Sequence, residues 1–336
     1  MGNYHDLESE YPNYYWLHES IHQVKFLRTH GEEKSLESKE YPPICDYEGS
    51  NYQTAFWDTG TRAYEDAVEA VALKRLLPSK GDLLLEIGAG AGRNTPRYKA
   101  YKKIVLMDYS LSQIQQAQDR LGRSERLIYV AADVYNLPFV DGLFDGATMI
   151  RVLHHLIEPL KALTQVRRVL QTGGVFILEF ANKRNLKAIA RYIIRKQDWN
   201  PFSLEPIEFA HLNFDFHPDA VRQWLFESSF ELQKQLTVSH FRINWLKKYI
   251  PTRLLVLMDS IIQLTGDWWQ LTPSIFTKSK AVGSIIRPST ASEFLFRCPS
   301  CAHHLPSGTK DPLICEGCGT RWPILDGIYD FRLKEK

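Results

Sequence analysis

The chain has 336 residues, 44% hydrophobic and 24% charged, which excludes a disordered chain and leaves room for one full-sized core plus a smaller module. A formal charge of +2 supplies no global pull toward nucleic acid. The most apolar stretch, Leu254 to Ile262, is interrupted by Asp259 and Ser260 and is about half the roughly 20 residues of a bilayer span, so no transmembrane segment is predicted.

Residues 1–60 are rich in Tyr, Trp, His and Glu without periodicity and are expected to form a lead-in or lid segment. The opening Met1-Gly2-Asn3-Tyr4-His5-Asp6 lacks the basic start and apolar run of a secretory signal. Tyr52, Phe56 and Trp57 are placed either in the core or over a ligand pocket. From Thr61, the residues Ala63, Ala67, Val68, Val71, Ala72 and Leu76 recur at helical spacing until Pro78-Ser79-Lys80-Gly81 ends the run.

Leu83 to Ile87 then reads as a strand covered on both faces, followed by Gly88-Ala89-Gly90-Ala91-Gly92. Strands are predicted over 104–107, 127–130, 144–150 and 175–180, with helices over 112–121 and 159–170 between them. Further helices are expected over 185–195 and 218–228, and strands 230–238 and 274–279 form an antiparallel edge. The alternation predicts an α/β fold: a Rossmann-like, doubly wound, seven-stranded sheet, mostly parallel with an antiparallel last strand, over residues 61–290. A helical insertion at about 243–270 is longer than the edge hairpin needs, and could cover the mouth of a site.

A glycine loop after a strand lets main-chain amides approach a polar ligand, although the same pattern also fits a flexible turn. Asp108, at the end of the second strand and twenty positions after Gly88, is placed to accept from ribose hydroxyls. G-x-G-x-x-G would need glycine at 93, where Arg93 stands, and that departure argues against a nicotinamide or flavin cofactor. Asp133 closes the third strand. Arg151, His154 and His155 fall just past the fourth, on the rim where an acceptor lies in a doubly wound sheet, and are the candidate catalytic residues.

Glu86 to Gly92, Asp108, Ala132-Asp133, Leu137-Pro138-Phe139, Phe144-Asp145, Val152-Leu153-His154-His155, Arg168-Val169-Leu170 and Gly173-Gly174 together resemble class I S-adenosylmethionine (SAM)-dependent methyltransferases. The similarity is to the group containing the ubiquinone and menaquinone C-methyltransferases, over roughly residues 60 to 185. The resemblance implies SAM as cofactor, with Gly88, Gly90 and Gly92 against the methionine and ribose, Asp108 on the ribose, and Ala132 and Asp133 at the adenine. Glu86 would orient the loop or the methionine amine.

Cys298-Pro299-Ser300-Cys301 and Cys315-Glu316-Gly317-Cys318 form two C-x-x-C turns separated by thirteen residues, a pattern suited to a tetrahedral, structural Zn²⁺ over residues 294–336. The odd fifth cysteine, Cys45, argues against a disulfide framework and for a reducing, cytoplasmic setting. The tail from Cys315 to Phe331 resembles the zinc-ribbon activator proteins that partner tRNA and translation-factor methyltransferases. Lys183, Lys187, Arg191 and Arg195 recur every four positions, and on one helix they would form a basic stripe able to track phosphates. The ribbon and the stripe favour an RNA or translation-protein acceptor, whereas the apolar stretch Leu254 to Leu264 and the similarity to the quinone methyltransferases favour a small or lipid-like molecule, which is the reading adopted. RNA or a translation protein guided by the ribbon is the alternative, and a non-catalytic SAM-binding scaffold is a third. Oligomeric state is not legible.

Overall fold

The computed structural model describes residues 42–50, 53–60, 62–284, 295–305 and 311–332. After a π-helical turn, Gln53–Asp58, helix α1 (Ala63–Leu76) leads into β1 (Gly81–Ile87). The core continues through β2 (Tyr101–Asp108), α2 (Leu111–Leu121), β3 (Leu127–Ala131), β4 (Phe144–Met149), α3 (Pro159–Val169) and β5 (Leu170–Ala181). Then follow α4 (Leu186–Ile193), β6 (Ile207–Ala210), β7 (Asn213–Asp215), α5 (Pro218–Glu227), β8 (Phe230–Val238), α6 (Asn244–Tyr249), α7 (Thr252–Ile262) and β9 (Ser274–Ala281). The C-terminal strands are β10 (Leu313–Ile314), β11 (Arg321–Trp322), β12 (Ile324–Leu325) and β13 (Ile328–Asp330).

The expected Rossmann-like sheet, mostly parallel with antiparallel strands β9 and β8 at one end, is present. It runs β12-β13-β3-β2-β1-β4-β5-β9-β8. Leu84 to Ile87 pair in parallel with β2 on one side and β4 on the other, so both faces need cover, which is why that stretch is apolar without alternation. β9 runs antiparallel to both β5 and β8, as expected of the last strands. The order reverses between β1 and β4, and a crevice opens there beyond the carboxyl ends of the strands.

The sheet has nine strands where the sequence predicts seven, because β13 pairs in parallel with β3 through Ile328↔Tyr129, Tyr329↔Val130 and Asp330↔Ala131. β3 would otherwise present an open edge. Phe296 packs against Phe139, Tyr329 and Phe331, so the C-terminal segment shares the main core.

Other differences are local. β5 begins at Leu170, which pairs with Phe144 ahead of a register shift. The β6–β7 hairpin is absent from the sequence reading, and the insertion is two helices broken at Pro251. The proposed basic stripe dissolves: Lys183 precedes α4, is buried, and donates to Ser203 Oγ (2.9 Å) and the Glu205 carbonyl (2.6 Å). Asn185 caps α4 by accepting from the Ala188 amide, and Arg195 lies past its end with φ 56°.

A buried carboxylate, together with bonds from Gln263 Nε2 to the Val68 carbonyl (3.0 Å) and from Lys247 to Glu65 (2.9 Å), ties the insertion to α1. Asp259 accepts from Tyr64 Oη (2.6 Å), the His240 amide (2.8 Å), His240 Nδ1 (3.0 Å) and Gln263 Nε2 (3.0 Å). Burial opposes its ionisation, but the bonds from His240 and Tyr64 outweigh it and hold the carboxyl below its ordinary value. Asp259→Ala strands several buried donors at once and is expected to lower stability by about 3 kcal/mol, read from urea unfolding midpoints. An unchanged midpoint would show that the network contributes nothing.

Candidate active site

Past Ile87 the backbone takes left-handed values at Gly88 (φ 68°), Gly90 (φ 51°) and Gly92 (φ 75°). A Cβ at Gly88 would lie 2.0 Å from Val152 Cγ2, and one at Gly92 would lie 2.6 Å from Leu121 Cδ1. The loop is pinned to the tip of β2. Gly90 N–H donates to Asp108 Oδ2 (2.8 Å), and Ala89 N–H donates to the Met107 carbonyl (3.0 Å).

Asp108 also accepts from the Ser110 amide (3.0 Å), and Ala132 N–H donates to its carbonyl (2.9 Å), which joins the tips of β2 and β3. Asp133 accepts from the Tyr135 amide (2.8 Å) and caps the short turn Val134–Asn136. Burial pushes both carboxyls upward, and the backbone bonds counteract it only in part. Glu86 is buried and accepts from Thr95 Oγ1 (2.6 Å); burial pushes its carboxyl up to about 8.

Gly88, Gly90, Asp108, Ala132, Asp133, Arg151 and His155 line one pocket. Glu86, Gly92 and His154 stand behind its wall rather than in it. The other side is closed mostly by residues that the sequence does not mark for this role, with Trp57, one of the aromatics expected in the core or over a pocket, among them. Ile44, Cys45 and Tyr47 line the pocket, while the Glu48 carboxylate accepts from the Leu111 (2.8 Å) and Ser112 (3.1 Å) amides at the start of α2. Trp57 also lines it, with the Arg93 guanidinium 3.7 Å above its ring and that of Arg151 at 4.9 Å. Tyr52 and the side chain of Phe56 lie outside the described residues.

Arg151 has φ 60°; its amide donates to Glu179 Oε2 (2.9 Å) and its Nε to Glu69 Oε1 (2.9 Å). Glu69 is buried, which disfavours its charge, yet Arg151 and Arg93 hold its carboxyl down at about 2. His155 faces a carbonyl and a hydroxyl. Its Nδ1 can only donate to the Leu212 carbonyl (3.1 Å), which leaves Nε2 to accept from Tyr47 Oη (3.1 Å). Burial drives its pKa down to about 4, so the ring is neutral at pH 7. The His154 ring lies 4.0 Å from that of His155; its Nδ1 is buried without a partner, and burial followed by its neighbour lowers its pKa.

The four C-terminal cysteines converge. Their sulfurs all lie within 4.8 Å of one another, with Cys298 to Cys318 at 3.8 Å and Cys301 to Cys315 at 3.4 Å. A tetrahedron of Zn–S bonds puts sulfurs about 3.8 Å apart, so the set fits that ion and leaves no open position. His303 and His304 stand outside the cluster. Burial pushes the Cys45 thiol up to about 11, which makes it a poor nucleophile at neutral pH.

Comparison with known proteins bears on this geometry. Residues 85–178 match the family model described as a methyltransferase domain. The 27-O-demethylrifamycin SV methyltransferase of Amycolatopsis mediterranei (strain S699) is 31% identical over 134 residues, 38% of this chain and 49% of that protein. The demethylmenaquinone methyltransferase of Clavibacter sepedonicus is 34% identical over 119 residues, 34% of this chain and 49% of that one. A chain in the solved complex containing the Haloferax volcanii Trm112 methyltransferase activator aligns with a TM-score of 0.48 and 16% identity, covering 68% of this chain and 95% of that one. The chain spans about half the length of the curated relatives it matches. The segment that holds the glycine loop, Asp108, Asp133 and the rim after β4 is thus the segment similar to methyltransferase domains.

Proposed function

We propose that the protein is a SAM-dependent methyltransferase acting on a small or lipid-like acceptor. The observation that carries this is the run of left-handed glycines after β1 facing two half-buried carboxylates, Asp108 and Asp133, at the tips of β2 and β3. Bound SAM supplies a methyl group already activated on a sulfonium, so alignment and exclusion of water contribute about 7–11 kcal/mol, more than a base would. The Gly88 and Gly90 main chain would cradle the methionine and ribose, Asp108 the ribose hydroxyls and Asp133, beside Ala132, the adenine amine. Glu86 and Gly92 hold the loop from behind.

Arg151, His154 and His155 are the proposed acceptor-side residues. Arg151, tied to Glu69, forms a fixed wall, and His155 is in the neutral form a proton acceptor needs, with Tyr47 occupying its Nε2. His154 would hold His155 in place. We further propose that Cys298, Cys301, Cys315 and Cys318 hold a structural Zn²⁺. Small-molecule names among the relatives support the acceptor class. The cysteine cluster supports the second reading, an RNA or translation-protein acceptor.

Calorimetry should give heat with SAM and with its demethylated product and none with NAD; the reverse result would sink the assignment. Methyl-labelled SAM incubated with separate lipid, RNA and protein extracts should label the lipid or small-molecule fraction. Label in RNA overturns that choice of acceptor, and a bound but never transferred methyl points to a scaffold.

A further inference from the structure

Helix α7 is amphipathic in the opposite sense to an ordinary surface helix. Its inward face carries Leu255 and the carboxylate of Asp259, both fully buried, while Leu254, Leu257, Met258 and Ile261, spaced three and four apart, point to solvent. Ile261 is 63% exposed. Past a 3-10 turn, Gln263–Asp267, the chain reaches Trp268 and Trp269, 81% and 60% exposed. The Leu271 carbonyl then accepts from the Leu186 amide (2.8 Å), which sets the start of α4 beside the tryptophans. α4 buries only Ala188 and leaves Leu186 and Ile193 outside. One path of exposed apolar side chains therefore runs from α7 to α4. It touches the sheet where Ser274 pairs with Ala181, at the carboxyl end of β5, and so at the same end of the sheet as the glycine loop.

The charge on this path is predominantly basic, with Asp267, just before the tryptophans, as its one exposed carboxylate. Neither 183–197 nor 241–258 contains an acidic residue, whereas Lys187, Lys196, Lys248 and Arg253 are exposed on them. Among the described residues no helix is long and apolar enough to cross a membrane. Exposed leucine and isoleucine flanked by tryptophan and basic side chains is the chemistry of a helix lying in a bilayer interface.

We propose that α4, α7 and the Trp268–Trp269 turn dock this protein on an anionic lipid bilayer. A second copy is the weaker occupant, since Lys187, Lys196, Lys248 and Arg253 outnumber the one exposed carboxylate of the path, Asp267, and two such faces would repel. Single-stranded RNA would use the tryptophans but leave the aliphatic stripe of α7 in water. The inference goes beyond methyl transfer and does not depend on it.

The test is flotation of the full chain with phosphatidylcholine vesicles, with and without phosphatidylglycerol, at low and high salt. Binding is expected to the mixed vesicles and to weaken with salt. Leu257→Glu with Ile261→Glu should weaken partition about a hundredfold, since two apolar contacts are exchanged for charges repelled by the surface. Lys248→Glu with Arg253→Glu should erase most of the preference for phosphatidylglycerol, about tenfold. All four positions face solvent, so unchanged unfolding midpoints should accompany both losses. Absence of flotation with either vesicle overturns the proposal. A dimer in sedimentation that the Leu257 and Ile261 changes split, or salt-steep binding to polyuridylate without flotation, overturns it equally. Heat with SAM is measured separately, so a failure of the methyltransferase reading leaves this result interpretable.

Discussion

Gly88→Ala is expected to abolish measurable SAM binding and to destabilise the fold by about 3 kcal/mol or more. Two costs combine. An alanine held at φ 68° is strained, by about 1–2 kcal/mol, and its Cβ would stand 2.0 Å from Val152 Cγ2, where a real contact cannot be. Val152 follows Arg151 and precedes His154 and His155, so relieving the clash moves the proposed acceptor-side residues as well as the loop. Gly122→Ala separates the two contributions: that glycine has φ 75° but nothing within 4 Å of its Cβ, so it should lose about 1–2 kcal/mol and keep its cofactor affinity. Parallel unfolding curves and calorimetry on the two variants decide the matter. A Gly88→Ala protein that binds SAM as the parent does would remove the loop from the site.

The glycine-loop side of the pocket is legible in the sequence because its parts are linear. A continuous apolar strand, a glycine run and carboxylates at successive strand ends need no knowledge of distant pairing. The lid side is not legible, because its residues act across long separations. Tyr47 meets His155 from 108 positions away, and Glu48 caps a helix 63 residues on, within a stretch that has no period to read. Arg93 enters the sequence reading only as a missing glycine, but its guanidinium bonds Asp66 and Glu69 of the preceding helix and shields Trp57.

Short strands fail for a different reason. β6, β7 and β13 have three or four residues each, too few for an alternation to show, and β13 exists as a strand through its pairing with β3. The stripe from Lys183 to Arg195 fails because four-residue spacing defines a helix face only where a helix exists. Asn182 and Asn185 turn the chain before α4 begins, and Lys183 points inward.

Removing the metal from the proposed zinc site, by chelation or by Cys315→Ser, should lower both stability and SAM affinity, though none of its four cysteines lines the pocket. The segment from 311 to 332 has only strands of two or three residues, so the four thiolates would supply most of its folding energy. Its contacts converge on the Asp133 side of the pocket. β13 pairs with β3, and Phe331 N–H donates to the Ala131 carbonyl (2.8 Å), two residues before Asp133. Asn136 Nδ2 donates to the Pro299 carbonyl (3.0 Å), which holds the turn that follows Asp133. Arg332 lies 3.5 Å from Glu48, the residue that caps α2 beneath the lid. Loss of these braces is expected to lower the unfolding midpoint by several degrees and to weaken SAM binding about tenfold, with both recovering on return of Zn²⁺. Recovery of the midpoint without recovery of affinity would show that the ribbon stabilises the sheet edge without holding Asp133 in place. Indifference of both to chelation would mean that the four sulfurs hold no ion the fold depends on.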